Sequence, residues 1–157
     1  MRLRLIAIGT RMPAWVDAAF NDYWRRMRGR WKLELIELPT ASRRQCGGAA
    51  HAAMAAEAQR ILTLLAPRDF VVALDERGSE RSTVELSHWL EQRRASGRDL
   101  AFIIGGPDGL AEQVLARGDF RWSLSRLTLP HGLVRVVLAE QIYRAATLLA
   151  GHPYHRE

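Results

Sequence analysis

The stretch that decides the fold is Leu127–Glu157, LTLPHGLVRVVLAEQIYRAATLLAGHPYHRE. Its first residues, up to Pro130, predict the end of a short strand, and residues 131–132 predict a loop. The apolar, proline-free segment from Leu133 predicts one long helix. Titratable and aromatic side chains then crowd into the last six residues. A strand, a loop and a helix in this order are typical of an α/β fold.

The rest of the chain alternates between the same two kinds of segment. Apolar runs predict strands, and apolar residues at every third or fourth position predict helices. The predicted strands are Leu3–Thr10, Leu33–Pro39, Asp69–Asp75, Asp99–Gly106 and Ser125–Pro130. The predicted helices are Ala14–Met27, Ala49–Ala66, Ser82–Gly97, Leu110–Gly118 and Leu133–Gly151. We therefore expect a single α/β domain, 1–157, with a mostly parallel sheet and helices on both faces.

The composition is that of a folded and strongly basic protein. Hydrophobic residues make up 48% of the chain and charged residues 25%, the usual balance of a globular domain. The net charge is +6, and Lys32 is the only lysine among 23 basic residues. Because arginine pairs with phosphates and stacks on bases, this charge favours contact with RNA or DNA. The alternative is a GC-rich genome that encodes arginine in place of lysine.

Several classes of protein do not fit the sequence. One cysteine, Cys46, leaves no disulfide framework and no zinc site built from several cysteines. The N-terminal apolar run is too short for a signal peptide, and no run reaches the roughly 18 apolar residues of a membrane span. The histidines lack metal-ligand spacing, and no GxSxG motif is present. We expect a cytoplasmic protein without membrane contact or metal.

Three strand ends define a candidate ligand pocket. In parallel α/β sheets, ligands bind beyond the carboxyl ends of the strands, here near Leu74, Gly105 and Leu129. The loop FIIGGPDGL lacks the Lys-Ser/Thr pair of a P-loop, and no GxGxxG follows the first strand. A ligand held by backbone groups and apolar walls, such as an adenosine moiety without phosphates, fits this pattern. The alternative is an ordinary turn at Pro107–Gly109.

A second candidate cluster lies along the last helix and beyond it. Glu140 and Arg144 are four residues apart and therefore share a helix face. They form either part of a reactive site or a plain surface ion pair. The segment from Tyr154 onward is either functional or a frayed terminus.

The length of the last helix separates the two candidate clusters. From Leu133 to Ala150 it spans ~27 Å at 1.5 Å per residue. His131 lies beside the pocket, whereas Tyr154 lies a domain's diameter away. Two such helices packed antiparallel about a two-fold axis would bring each tail to the partner's pocket. We therefore hypothesise a homodimer with composite active sites.

The motifs resemble those of a known family. FIIGGPDGL, SRLTLPHGLVRVVLAEQIYRA and HPYHRE, together with LRLIAIGTRMPAWV and LDERG, are similar to the ribosomal RNA large subunit methyltransferase H family. The similarity covers nearly the whole chain. That family belongs to the SPOUT class of methyltransferases, which use S-adenosyl-L-methionine.

The resemblance implies a fold, a ligand and a substrate. The fold is a parallel α/β sheet with a C-terminal trefoil knot, and the protein is a homodimer. The substrate is a pseudouridine of 23S rRNA, methylated at N3 within the assembled ribosome. The residues implied to bind S-adenosyl-L-methionine are Leu74, Gly105, Leu124, Ser125, Arg126, Leu127, Thr128 and Leu129.

Residue chemistry and the resemblance together suggest catalytic roles. N3 of pseudouridine must lose a proton before it attacks a methyl group, and histidine is the usual base at neutral pH. His155 is the candidate base or proton relay, with Glu140 as the alternative. Arg144 and Arg156 are candidates to stabilise the base anion or to grip phosphates. Tyr154 is a candidate to stack on the uracil ring or to bond its carbonyl. Two other functions stay open: a non-enzymatic RNA-binding ribosome assembly factor and a tRNA methyltransferase.

Overall fold

The computed structural model describes residues 1–42, 44, 47–152 and 154, in which strands and helices alternate. The strands are β1 (Arg2–Ile8), β2 (Lys32–Leu38), β3 (Phe70–Ser79), β4 (Leu100–Ile104) and β5 (Phe120–Trp122). The helices are α1 (Ala14–Arg26), α2 (Ala50–Leu64), α3 (Thr83–Ala95), α4 (Glu112–Arg117) and α5 (His131–Leu149). This order confirms the predicted α/β alternation.

The strands form one sheet in the order β2-β1-β4-β3-β5, and every pairing is parallel. Leu5 of β1 pairs with both Leu35 of β2 and Phe102 of β4. Val72 of β3 also pairs with Phe102. The predicted parallel sheet is confirmed, and its apolar β1 and β4 lie at the interior, where both faces are covered.

Both faces of the sheet carry a hydrophobic core. Leu3, Leu5 and Ala7 of β1 point to one face, where α1, α3 and α5 pack, and Ile6 and Ile8 point to the other, where α2 and α4 pack. This alternation follows from the two-residue period of a strand. The aromatic residues of the first core are Phe20, Trp24, Trp31, Trp89, Phe102 and Trp122. The expectation of helices on both faces is therefore confirmed.

The last strand differs from its prediction. The segment Ser125–Pro130 is irregular, and the fifth strand is the shorter β5 upstream of it. Asp119 sets this position, because its side chain accepts a hydrogen bond from the Val71 N–H at 2.8 Å and its own N–H donates to the Val71 carbonyl at 2.9 Å. Ser125 then accepts a hydrogen bond from the Leu127 N–H, a local bond that replaces strand pairing.

Two other boundaries also differ. Strand β3 continues past its predicted end at Asp75 as far as Ser79, with a register shift between Leu74 and Ser79. Gly78 permits this course, since a Cβ there would lie 2.7 Å from the Arg121 carbonyl carbon. Helix α5 includes His131 and Gly132, which we expected in a loop, because Pro130 is its N-cap and the Val134 N–H already donates to the Pro130 carbonyl.

Helices α1 and α5 lie side by side and run in the same direction. Gly132, in the first turn of α5, lies against Met12 and Val16 at the start of α1. At the other end, the Arg30 guanidinium, just past α1, donates to the Ala146 carbonyl of α5. The 19 residues of α5 span ~27 Å from the carboxyl edge of the sheet to its amino edge.

Candidate active site

A cavity of about 940 Å³ opens at the carboxyl edge of the sheet. It lies where β3, β4 and β5 end, as expected for a ligand site in a parallel α/β sheet. Its walls come from residues 74–77, 104–110, 112, 115, 121–125, 127–131 and 134. The three segments that the sequence singled out, near Leu74, Gly105 and Leu129, therefore meet in one place, although only Gly105 directly follows a strand.

Most of the residues implied to bind the methyl donor line this cavity. Those that do are Leu74, Gly105, Leu124, Ser125, Leu127, Thr128 and Leu129. Arg126, the remaining one, is exposed and is not among the lining residues. Their role in binding stays a prediction, and the geometry shows only that they share a wall.

The glycine loop after β4 is held tightly folded. The Gly109 N–H donates to the Gly106 carbonyl at 3.0 Å, and Gly109 has a φ of 84°, in the left-handed region. A Cβ at Gly105 would lie 2.6 Å from the Gly109 carbonyl oxygen. Because that contact is with backbone, no side chain fits at Gly105 without moving the loop.

The cavity lining is acidic although the chain as a whole is basic. Its charged side chains are the carboxylates of Asp75, Glu76, Asp108 and Glu112 and the guanidinium groups of Arg77 and Arg121. Four negative and two positive groups give the lining a net charge of −2, against +6 for the whole chain. Such a lining favours a ligand that carries positive charge. Apolar side chains of Leu74, Leu124 and Leu129 complete the walls.

A second cluster lies on α5, toward the amino edge. One carboxylate oxygen of Glu140 lies 2.7 Å from the Arg144 guanidinium and 3.3 Å from the Tyr154 hydroxyl. The Tyr154 ring meets Tyr143 edge-on at 4.7 Å, and the Arg144 guanidinium lies 5.0 Å from the Tyr154 ring centre. The predicted Glu140–Arg144 contact therefore exists, and Tyr154 is part of it.

The environment of this cluster shifts two pKa values. Partial burial, a hydrogen bond with Tyr23 and the nearby Glu140 carboxylate raise the pKa of Tyr154 well above its usual value near 10. The hydrogen bond to Glu140 also raises the pKa of Arg144. At neutral pH Tyr154 is therefore an un-ionised hydrogen-bond donor, and Arg144 carries its full charge.

Within one subunit the two clusters are apart. None of Glu140, Arg144 and Tyr154 lines the cavity, which α5 reaches only through His131 and Val134. Glu140 lies nine residues after His131 on the helix, ~13 Å along the axis. The other two predicted catalytic residues, His155 and Arg156, lie outside the described residues.

Arg135 is a buried residue near the cavity that the sequence reasoning missed. Its side chain is only 3% exposed. It donates to the carbonyls of Ile8 at 3.2 Å and Gly9 at 2.6 Å, and it lies 2.5 Å from a Glu37 carboxylate oxygen. Arg135 therefore ties the ends of β1 and β2 to α5, one turn after His131. The signal in the sequence was a charged residue inside an otherwise apolar helical segment.

Membrane-spanning helices and metal-ligand groups are absent from the described part of the chain. None of its helices has the length and apolar character that a membrane-spanning segment requires. In the same residues, no three His, Cys, Asp or Glu side chains are grouped as metal ligands would be.

Comparisons with known proteins place this arrangement in a family. Residues 1–155 match the family model described as predicted SPOUT methyltransferase. The chain belongs to the SPOUT methyltransferase family. This confirms the resemblance that the sequence motifs suggested, and the parallel sheet with a cavity at its carboxyl edge is the scaffold on which this SPOUT methyltransferase is built.

Relatives of this SPOUT methyltransferase carry a more specific name. Proteins named ribosomal RNA large subunit methyltransferase H are 51% identical in Hahella chejuensis and 52% in Thioalkalivibrio sulfidiphilus. A third, from Laribacter hongkongensis, is 47% identical. Each alignment covers 100% of both chains.

Solved structures agree on the fold. A probable methyltransferase from Bordetella pertussis has a TM-score of 0.60 at 16% identity, covering 92% of this chain and 93% of that one. A putative methylase family protein from Neisseria gonorrhoeae has a TM-score of 0.59 at 16% identity, and the alignment covers 93% of this chain and 83% of that one. At such low identity these likenesses support the architecture alone.

Proposed function

We propose that this protein transfers a methyl group from S-adenosyl-L-methionine to N3 of a pseudouridine in 23S rRNA of the assembled ribosome. Full-length relatives named as large-subunit rRNA methyltransferases support the substrate class. The observation that carries the proposal for this chain is the acidic, glycine-walled cavity at the carboxyl edge of the sheet. The trefoil knot implied by the motifs is part of the same proposal.

The residues of the cavity fit S-adenosyl-L-methionine. This donor carries a sulfonium and an ammonium group, which an acidic lining favours, and an adenosine, which suits the leucine walls. The tight turn at Gly105 leaves backbone at the cavity wall, where no Cβ has room. When bound, the donor supplies an electrophilic methyl group whose transfer leaves a neutral thioether, so the protein mainly has to hold the acceptor in line.

The protein must also remove the N3 proton. Tyr154 does not serve as the base, because its raised pKa keeps it protonated at neutral pH. It acts instead as a donor toward a carbonyl or as a ring that packs on the uracil. His155 accepts the proton, with Glu140 as the alternative acceptor. Arg144 supplies positive charge beside the base as negative charge develops on it.

The separation of the two clusters leads to a composite site. In one subunit, α5 holds Glu140 and Arg144 away from the cavity. We propose a homodimer in which the α5 helices pack antiparallel, so that each cavity receives Tyr154 and the residues after it from the partner.

The test is transfer of a radiolabelled methyl group to intact ribosomes, free 23S rRNA and tRNA. We expect labelling of ribosomes, at one pseudouridine, and little labelling of the other two. Calorimetry with S-adenosyl-L-methionine should show binding. Label only in tRNA would assign a different substrate. RNA binding without any methyl transfer or donor binding would support the assembly-factor alternative, for which the basic charge is the favouring observation.

A further inference from the structure

The positive charge of the chain is concentrated in one short segment. Residues 22–32, DYWRRMRGRWK, contain five basic residues and one carboxylate, a net charge of +4 against +6 for the whole chain. We call residues 25–32, the end of α1 and the turn into β2, the arginine turn. Its basic residues are Arg25, Arg26, Arg28, Arg30 and Lys32, and all five are exposed.

Two of these residues have structural roles. Arg26 forms an ion pair with Asp22 at 2.7 Å, and its guanidinium lies 5.7 Å from the ring centres of both Tyr23 and Tyr143. Arg30 donates to the Ala146 carbonyl of α5. These contacts fix the turn against the C-terminal half of α5.

The other three cations have no such role. Arg25, Arg28 and Lys32 form no ion pair with any residue in the described part of the chain. The helix dipole favours Arg25 in the last turn of α1, but it does not account for charges beyond the helix end. Arg25 and Arg28 are three residues apart, and the Arg28 N–H donates to the Arg25 carbonyl, so the two residues lie within one turn of the backbone. Two adjacent like charges without a counterion suit an anionic partner.

The surroundings of the turn favour RNA as that partner. The rings of Tyr23, Tyr143 and Tyr154 meet beside Arg26, with Tyr23 and Tyr154 6.4 Å apart. Guanidinium groups beside aromatic rings are the combination that binds phosphates and unstacked bases. The turn also lies on the same end of α5 as Tyr154, the side that the proposed composite site presents to a partner's cavity.

We propose that the arginine turn is an RNA-backbone docking surface, which holds the phosphates flanking the target nucleotide next to the C-terminal end of α5. This rests on the proposed function, because it assumes that RNA is the substrate. Arg25 and Arg28 supply exposed charges for the phosphates, and Arg26 and Arg30 anchor the turn that presents them.

The test compares Arg25→Gln/Arg28→Gln with the control Arg11→Gln/Arg68→Gln. The control removes the same charge from exposed arginines elsewhere that form no ion pair in the described part of the chain. We expect KM for intact ribosomes to rise roughly tenfold in the first variant only, with kcat nearly unchanged. The slope of log affinity against log salt should fall by roughly 0.7–0.9 for each phosphate that the variant no longer neutralises. Arg25→Lys/Arg28→Lys should recover most of the affinity, because binding a phosphate needs charge.

Equilibrium binding to ribosomes is measured in parallel, so the two proposals fail separately. If ribosome binding depends on the arginine turn but the wild type transfers no methyl group, the proposed function is wrong and the docking surface still stands. Equal KM and equal salt slope in both double variants would overturn the docking surface alone. A change in sedimentation mass of the Arg25→Gln/Arg28→Gln variant would also overturn it, by placing the turn in a subunit interface.

Discussion

The Tyr154 hydroxyl lies 3.3 Å from a carboxylate oxygen of Glu140, fourteen residues earlier in the chain. This contact places Tyr154 beside the middle of α5. The same oxygen receives the Arg144 guanidinium, so a phenol and a cation share one acceptor. Residues that looked like a helix pair and a separate tail in the sequence form one cluster.

The first prediction concerns the ionisation of Tyr154. Its raised pKa means that the docked state keeps the phenol protonated where a free tyrosine ionises, near pH 10. Docking of Tyr154 is therefore fully stable below about pH 10 and weakens as pH rises above it. In a spectrophotometric titration, Tyr154→Phe should remove an ionisation step that lies above pH 10. A titration curve in which Tyr154→Phe removes an ordinary step near pH 10 would contradict the contact.

The second prediction concerns the glycine loop. Gly105→Ala places a Cβ 2.6 Å from the Gly109 carbonyl oxygen and should lower affinity for S-adenosyl-L-methionine at least tenfold in calorimetry, because the loop must move. Gly29→Ala is the control, since a Cβ there meets nothing within 4 Å. Donor binding by Gly105→Ala equal to that of Gly29→Ala would show that this loop does not form the donor site.

The third prediction concerns Arg135. Arg135→Met leaves two carbonyls, of Ile8 and Gly9, without their buried donor and should lower the free energy of unfolding by about 2 kcal/mol. Arg94→Met is the control, because its ion pair with Glu91 is exposed and contributes little. Chemical denaturation measures both. If the two variants unfold at the same denaturant concentration, Arg135 does not join β1 and β2 to α5.

The fourth prediction separates the two candidate bases. His155→Ala should reduce methyl transfer at least a hundredfold and leave donor binding intact, as expected for loss of a general base. Glu140→Gln should reduce methyl transfer less. Its kcat/KM should still fall at low pH, where a histidine base becomes protonated. The opposite order, with loss of this fall at low pH in Glu140→Gln, would assign the base to Glu140.

The sequence predicted the sheet well for a physical reason. Strand β4, residues 5–8 of β1 and residues 71–73 of β3 are buried on both faces and therefore appear as continuous apolar runs. The fifth strand was placed too late because Leu127 and Leu129 alternate with polar residues, as in a strand with one wet face, although the segment is irregular. Both leucines line the cavity instead of packing in the sheet, and Leu127 is 73% exposed. The position of β5 depends on the Asp119–Val71 bonds, which join residues 48 positions apart.

The site could be predicted only in part. The glycine loop and the leucines near it were recognisable because strand ends meet at one edge of a parallel sheet. The net negative charge of the cavity lining could not be predicted, because its charged residues, such as Asp75, Glu112 and Arg121, come from three different segments. The role of Arg135 could not be predicted, because its partners Glu37 and Gly9 lie more than ninety positions away in the chain.

We propose that each active site combines a cavity from one subunit with the tail of its partner. The most direct measurement mixes two inactive variants, Gly105→Val and a deletion of residues 154–157, under conditions of subunit exchange, and assays methyl transfer to ribosomes. In the mixed dimer, one site has both defects and the other has an intact cavity and an intact tail. We expect recovery of up to about a quarter of wild-type activity in an equal mixture with random exchange. Confirmed subunit exchange with no recovered activity would contradict it.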